Sequence, residues 1–343
     1  MTATADDDWK PTCTLQALHL RSAVLNSIRS LFHSRGYLEV ETPLLSHDIV
    51  VDAHLEPFCV RMSGTGSDLY LQTSPEAGMK RLLAAGAGSI FQITRSFRQD
   101  ESGQRHNPEF SMLEWYGIGT TWHQQMQLTE DLVRQVQSDV SHIRMKSEST
   151  ACSIAFSKQP FCRLPYTEAF CDVGEEDILS VDTKHLQQLV ETHTSIGTRS
   201  TDIHDRDDLL NLLLAECVEP DLGSQHPVFL HSYPISQAAL AEQNPDDART
   251  ACRFELYMRG LEICNGYQEL TDVRELKLRD AAQNRRRTQQ QSHQLPGATR
   301  LNSAMSAGLP PCSGVALGID RLIMVLSGTT NIRDVIPFPI DRA

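Results

Sequence analysis

Between Leu18 and Arg35, the apolar residues Val24, Ile28, Leu31 and Phe32 fall at i, i+4, i+7 and i+8, the stripe of an amphipathic helix. Gly36 stands where it can cap that helix, and Tyr37-Leu-Glu-Val-Glu-Thr-Pro43 then alternates as a strand that Pro43 ends. Strands are predicted at Leu55–Met62 and Leu69–Thr73, either side of a Gly64-Thr-Gly66-Ser turn, and a helix over Pro75–Ala85 with proline near its start. Two β-prone runs, Ser89–Arg98 and Glu109–Tyr116, enclose the polar loop Gln99–Pro108, which reads as a loop that handles a ligand. Leu128–Val140, Lys184–Glu191 and Asp207–Cys217 read as helices, and Gln225–Ser236 as a strand broken by Pro234; residues 141–225 otherwise carry little pattern. Phe254–Met258 and Leu261–Asn265 flank Arg259-Gly260 as a hairpin. Asp272-x-x-Glu275 reads as a capping box opening a helix that runs to a Gln-rich stretch near Gln289–Gln294, and Gly314–Leu326 as strand, glycine turn and helix. The order has no strict βαβ alternation, which predicts an α+β fold with antiparallel strands.

Charge and composition narrow the class. The chain has 343 residues, 40% of them hydrophobic, and 31 Lys and Arg against 44 Asp and Glu, for a net charge of −13. Such a balance lowers the expectation of nucleic-acid binding, which relies on clustered cations at phosphates. The basic run Arg285-Arg286-Arg287 is short and reads as a solvated helix face. No apolar run approaches the roughly 20 residues of a membrane span, and the polar, acidic stretch Met1–Asp8 lacks the pattern of a signal peptide, so a cytoplasmic protein is expected. Nine cysteines without a CxxC pair read as reduced, mostly buried thiols; there is no HExxH motif and no GxxxxGK[ST] loop.

Two stretches carry chemistry on their own residues. In an uninterrupted hairpin Glu255 faces Cys264, and Glu262 shares its face, the two carboxylates being about 7 Å apart along the diagonal. Such a pair either shares a cation such as Mg2+ with substrate phosphates or is a polar solvent face. Arg321 stands at the start of a helix, where partial positive charge disfavours it; a bound phosphate resolves the conflict, as does pairing with Asp320.

Taken together, Leu18–Pro43, then Phe91–Arg98 with His106-Asn-Pro-Glu-Phe-Ser-Met-Leu-Glu-Trp-Tyr116, then Gly314–Leu326 resemble, in order, motifs 1, 2 and 3 of the class II aminoacyl-tRNA synthetases. The pattern Gly260-x-Glu262-x-x-Asn265-Gly-x-x-Glu269 is similar to the lysyl branch. The resemblance implies an antiparallel sheet flanked by helices in a catalytic domain over residues 18–343, after a disordered or extended stretch 1–17, with dimerisation through motif 1. It implies ATP and Mg2+ as cofactors. Arg98 and Arg321 would be catalytic, and Asp100, Arg105, His106, Asn107, Phe110, Glu262, Ile263 and Gly318 would join them around ATP. Glu255 and Glu262 would bind Mg2+; Ser74, Glu76, Tyr116, Asn265, Glu269 and Ala316 would surround a lysine-type substrate. Lysyl-tRNA synthetases carry an N-terminal anticodon-binding domain, for which the seventeen residues before motif 1 leave no room. Pro227-Val-Phe, Ser236–Leu240, the terminal Asp341-Arg-Ala and Ala316, where the synthetases have glycine, resemble the elongation factor P–(R)-β-lysine ligases instead. That implies elongation factor P as acceptor and (R)-β-lysine or lysine as substrate, with tRNA not expected. The alternatives are a lysyl-tRNA synthetase paralogue that charges tRNA, or one that only binds lysine as a regulator.

Overall fold

Helix α1 (Leu15–Ser34) begins three residues before its predicted start, because the Thr14 hydroxyl accepts the Ala17 N–H and caps it. The computed structural model describes residues 9–64, 68–143, 158–197 and 203–343, so the predicted Gly64–Ser67 turn falls largely outside it. The described residues before α1, 9–14, form turns and bends, and Thr12 among them donates its backbone N–H to the Pro337 carbonyl near the C-terminus. The chain reverses at Gly36, with φ +77°, a conformation that glycine tolerates. Of the strand predicted over 37–43 only β1 (Leu38–Glu39) forms, parallel to a later strand. A small sheet of β2 (Leu45–Ser46), β3 (Cys59–Arg61) and β4 (Asp68–Leu71) follows.

Helix α2 (Glu76–Ala84), strands β5 (Ile90–Phe97) and β6 (Glu109–Ile118) match their patterns closely. Helix α3 (Trp122–Val140) is longer than predicted: Thr121 and Gln124 form a reciprocal capping box that the apolar period does not report. Then come β7 (Cys162–Pro165), α4 (Thr183–His193), α5 (Arg206–Leu213), β8 (Val228–His231), β9 (Arg253–Met258) and β10 (Leu261–Gln268). Helix α6 (Val273–Gln289), α7 (Thr299–Gly308), β11 (Cys312–Gly318) and α8 (Ile319–Ser327) complete the chain. The Asp272 side chain caps α6, but Glu275 accepts from Arg279 and does not reach back, so the capping box is only half formed.

Eight strands form one sheet in the order β1-β5-β6-β11-β10-β9-β8-β7, antiparallel except at its two outer pairs. Helices α1, α3 and α8 bury one side of it around Phe32, Trp115, Leu132, Leu317 and Ile323. A second apolar cluster ties α4 and α5 to β8 and β9 through Tyr166, Leu186, Leu210, Leu230 and Tyr233, so the poorly patterned part of the sequence has its own core. This is the predicted α+β class, and among the described residues no helix is long and apolar enough to cross a membrane.

Two surface expectations are corrected. Arg287 is 1% exposed, donating to the carbonyls of Asp52, Leu55 and His293 and pairing with Glu56, while Arg286 pairs with Asp207. The distant loop at Asp52–Glu56 closes over the helix there, so only Arg285 of the three keeps the predicted exposure. Of the eight described cysteines, all free, four are buried (Cys13, Cys252, Cys264 and Cys312) and Cys59, Cys162 and Cys171 are exposed.

Candidate active site

A cleft of about 880 Å3 opens over the face of the large sheet that α1, α3 and α8 leave uncovered, between the ends of α2, α5 and α6. One end is built by α8. Gly318 is its N-cap and carries no side chain to satisfy the helix start, and Arg321 is its third residue. The alternative Asp320–Arg321 pair does not form. Asp320 is buried, accepts the Ser111 N–H at 2.7 Å and pairs with Arg21 of α1. Arg321 is thereby left to face the cleft, where it donates to the Glu262 carbonyl and carboxylate at 2.9 and 3.2 Å and to His106 Nε2 at 2.6 Å. Burial and the Arg321 charge hold His106 below the usual imidazole range, so a neutral ring accepts that bond.

Arg98 leaves the end of β5 and lies over the Phe110 ring, 5.0 Å from its centroid, with Nη1 donating to Glu101 at 3.0 Å. Its buried Nε has no partner. Both arginines thus rest on carboxylates in the positions where phosphate or carboxylate oxygens could replace them. Arg105 is exposed and donates to the Gly260 carbonyl, joining the loop after β5 to the β9–β10 turn. Asn107 lines the cleft but spends its amide on backbone, donating to Glu109 and accepting from Ile340. Ile263 and Gly318 line the same end; Asp100 sits in an exposed turn outside the cleft wall.

The other end is acidic and buried. Glu269 is 1% exposed, and Glu76, behind Ser74 at the start of α2, faces it. Tyr116 donates to Glu114 at 2.6 Å. Ala316 of β11 lies in register between Glu114 of β6 and Asn265 of β10 and lines the cleft, so its methyl faces the site. Gly314, one residue pair along, has to be glycine: a Cβ there would lie 2.4 Å from the Tyr116 ring and 2.6 Å from Glu269 Oε1.

The β9–β10 hairpin turns through Arg259 and Gly260, with φ +55° and +65°, as a two-residue loop should. Its register differs from the simple one. A bulge at Ile263 places Asn265, not Cys264, opposite Glu255. Ile263 and Cys264, neighbours in sequence, both enter the core, and the skipped residue turns Asn265 onto the face that carries Glu262. Glu255 accepts from Arg253 and Asn265 on Oε1 and from Tyr233 on Oε2, while the Tyr257 hydroxyl, 2.7 Å from Oε2 and 3.0 Å from Glu219, has one proton for the two. A carboxylate offers about four lone-pair positions, so with the Tyr257 proton on Glu219 one position of Glu255 stays open, and Glu255 and Glu262 could hold Mg2+ between them. Glu262, with a side chain 38% exposed, shares only one oxygen with Arg321.

Two further residues of the wall, Glu114 and Glu219, and Lys80 buried behind it were not singled out from the sequence. Glu114 lies between Phe110 and Tyr116 at strand spacing, so the two-residue period could have found it. Lys80 stands at i+4 from Glu76, a spacing that helical pairs use. Glu219, 3.0 Å from the Tyr257 hydroxyl that it shares with Glu255, follows the π-helical turn Leu214–Val218 and had no sequence signal.

A family model, tRNA synthetases class II (D, K and N), matches residues 8–342. The chain is 43% identical over 339 residues, 98% of both chains, to a protein of Salmonella gallinarum named elongation factor P–(R)-β-lysine ligase. The proteins of the same name from Salmonella paratyphi A and Salmonella typhi match equally over the same lengths.

Proposed function

This chain belongs to the class II tRNA synthetase family (D, K and N), and from that premise we propose that it activates (R)-β-lysine with ATP and transfers it to a lysine ε-amine of elongation factor P. The observation that carries this reading is the polarity of one cleft, with Arg98 and Arg321 at one end and Glu76, Glu114 and Glu269 buried at the other. A diammonium acid fits it lengthwise. Its ammonium groups need carboxylate partners because an unpaired buried charge is costly, and its carboxylate meets Arg98.

In the first step the substrate carboxylate attacks the α-phosphorus of ATP, forming the acyl-adenylate and releasing pyrophosphate. Arg98 leaves Glu101 for the carboxylate and α-phosphate, and Arg321 leaves Glu262 for the γ-phosphate side; Phe110 offers its free face to adenine. Their effect is electrostatic: charges fixed in a partly dry cleft stabilise the oxygens on which negative charge develops. In the second step the acceptor ε-amine attacks the activated carbonyl and AMP leaves. Mg2+ would be held by Glu255 and Glu262, where it would offset the negative charge of the ATP phosphates.

Two observations bear on the finer expectations. The net charge of −13 disfavours a tRNA backbone as partner. The edge strand β1 exposes Leu38 (55%), with Leu44 (38%) nearby, a surface suited to self-association through the motif 1 region. The test is ATP–pyrophosphate exchange with (R)-β-lysine, α-lysine and no amino acid, followed by transfer to elongation factor P. Exchange that requires a lysine-type acid, with (R)-β-lysine preferred, is expected; exchange indifferent to the amino acid would remove the reading.

A further inference from the structure

The buried end of the cleft already contains an ammonium group of the chain's own. Lys80 is 1% exposed; its Nζ lies 2.6 Å from Glu76 Oε1 and 2.5 Å from Glu269 Oε2, and 6.0 Å from the centre of the Tyr116 ring. Both carboxylates belong to the set proposed to hold substrate amines. A third, Glu114, is 2% exposed: Oε1 accepts the Tyr116 hydroxyl, and Oε2 has no partner. Asn265 Oδ1, in the same wall, also lacks one. Buried acceptors without donors are costly, so what satisfies them must bring N–H groups.

The charges can be counted. With the three carboxylates grouped around Lys80 ionised, Glu76, Glu114 and Glu269 carry three negative charges and Lys80 cancels one, leaving two; Asp280 of α6, which faces Glu76 from the same cleft, lies outside this group. Two is the charge of the pair of ammonium groups on a lysine-type substrate. We infer that Lys80 is a positioning and specificity-determining residue, a fixed ammonium that sets the charge of this pocket to match a diammonium substrate, and that the empty pocket holds a proton on Glu114 which the substrate expels. This inference rests on the lysine-type reading of the site.

The proton assignment follows from the surroundings. Facing Glu114 are Glu76 and Lys80 from α2, Tyr116 beside it on β6, and Glu269 after β10, with Glu242 beyond Glu269. Burial, then the Glu76 charge, push the Glu114 carboxyl up to about 8, so at pH 7 the empty pocket keeps it neutral. The same burial raises Glu269, against the pull of the Lys80 ammonium. Lys80 itself stays protonated, its two carboxylate partners outweighing burial. An arriving ammonium group stabilises the Glu114 carboxylate, and the carboxyl proton passes to buffer.

Calorimetric titration of the full chain with (R)-β-lysine at pH 7, in buffers of different ionisation enthalpy, counts released protons. Release of between one and two protons per site is expected for the wild type, since at pH 7 Glu114, at about 8, is mostly protonated and Glu269, at about 7, partly so. Glu114→Gln should lower that release by about one proton, leaving the part that Glu269 contributes. Lys80→Met should increase the wild-type release, because Glu269 loses the ammonium that holds its carboxyl down and keeps more of its proton. It should also raise KM for (R)-β-lysine at pH 7 by about tenfold or more, the effect of roughly one pKa unit, with KM recovering as pH rises towards 9 and KM for ATP unmoved. A merely structural lysine would not change the pH profile in this way. Wild-type release near zero, or release unaffected by Glu114→Gln, overturns the inference even if Lys80→Met does not fold. So does a Lys80→Met profile parallel to the wild type. Failure of any lysine-type acid to support pyrophosphate exchange would instead overturn the function on which the inference rests.

Discussion

Arg98 and Arg321 each rest on a carboxylate, Glu101 and Glu262, that ligand oxygens can displace. Replacing either with alanine is expected to slow adenylate formation by about two to three orders of magnitude, the size of losing one charge-stabilising contact. The melting temperature should scarcely move, because both side chains face the cleft; single-turnover adenylation and a thermal melt check the two halves. Ala316 lies in register between Glu114 and Asn265, so its methyl meets whatever lies between them. Ala316→Gly is expected to narrow or reverse the preference for (R)-β-lysine over α-lysine, within the roughly 10- to 200-fold range of a single methyl in a fitted pocket. An unchanged ratio of kcat/KM values would place substrate choice elsewhere. Glu114 also marks stability. Its carboxyl sits at about 8 in the folded chain against 4.5 when free. Between those values the folded state binds the proton that the unfolded state has lost, so stability contributed by this group falls as pH rises through that window. Melting curves from pH 4.5 to 8 should therefore decline less steeply in Glu114→Gln than in the wild type.

At the scale of elements, strand β11 and helix α6 hold the cleft by different means. Strand β11 lets Tyr116 and Glu269 approach by leaving Gly314 bare. Gly314→Ala drives a methyl into both, and is expected to raise KM for lysine-type acids while KM for ATP holds; equal losses for both would mean that the sheet itself had shifted. Helix α6 closes the site's outer wall and is anchored by Arg287, whose guanidinium gathers three carbonyls and Glu56. Arg287→Ala leaves those acceptors buried without donors. A loss of about 3–5 kcal/mol is expected, the range for breaking one side of a buried pair, and denaturant unfolding measures it.

For the molecule as a whole, the exposed apolar edge at β1 is the surface on which the proposed dimer would form. Sedimentation of the wild type is expected at twice the mass of one chain, and Leu38→Arg should shift it towards the monomer, since a charge placed in an apolar interface loses its hydration without a partner. A wild type that sediments as a monomer at micromolar concentration would remove the expectation.

How far the sequence reaches differs along the chain for physical reasons. Helices α1, α2 and α8 and strands β5, β6 and β11 were legible because each buries one regular face, and a regular face imposes its period on the residues. The ordered motifs on or beside those elements likewise marked Arg98, Arg321 and Glu76, and the pattern running from the β9–β10 turn marked Glu269. Residues 141–225 were opaque because their apolar residues serve a second core built from short pieces, too short for a period to show. Three things were decided only by tertiary structure. The bulge at Ile263 sets which residue faces Glu255, and a bulge is fixed by packing on both sides of the hairpin, not by alternation. Arg287 is buried because the distant loop at Asp52–Glu56 closes over it beside the chain that follows its own helix. Lys80 and Glu114 act on one another's surroundings across α2 and β6, and the charge of a pocket is a sum over residues that only the fold brings together.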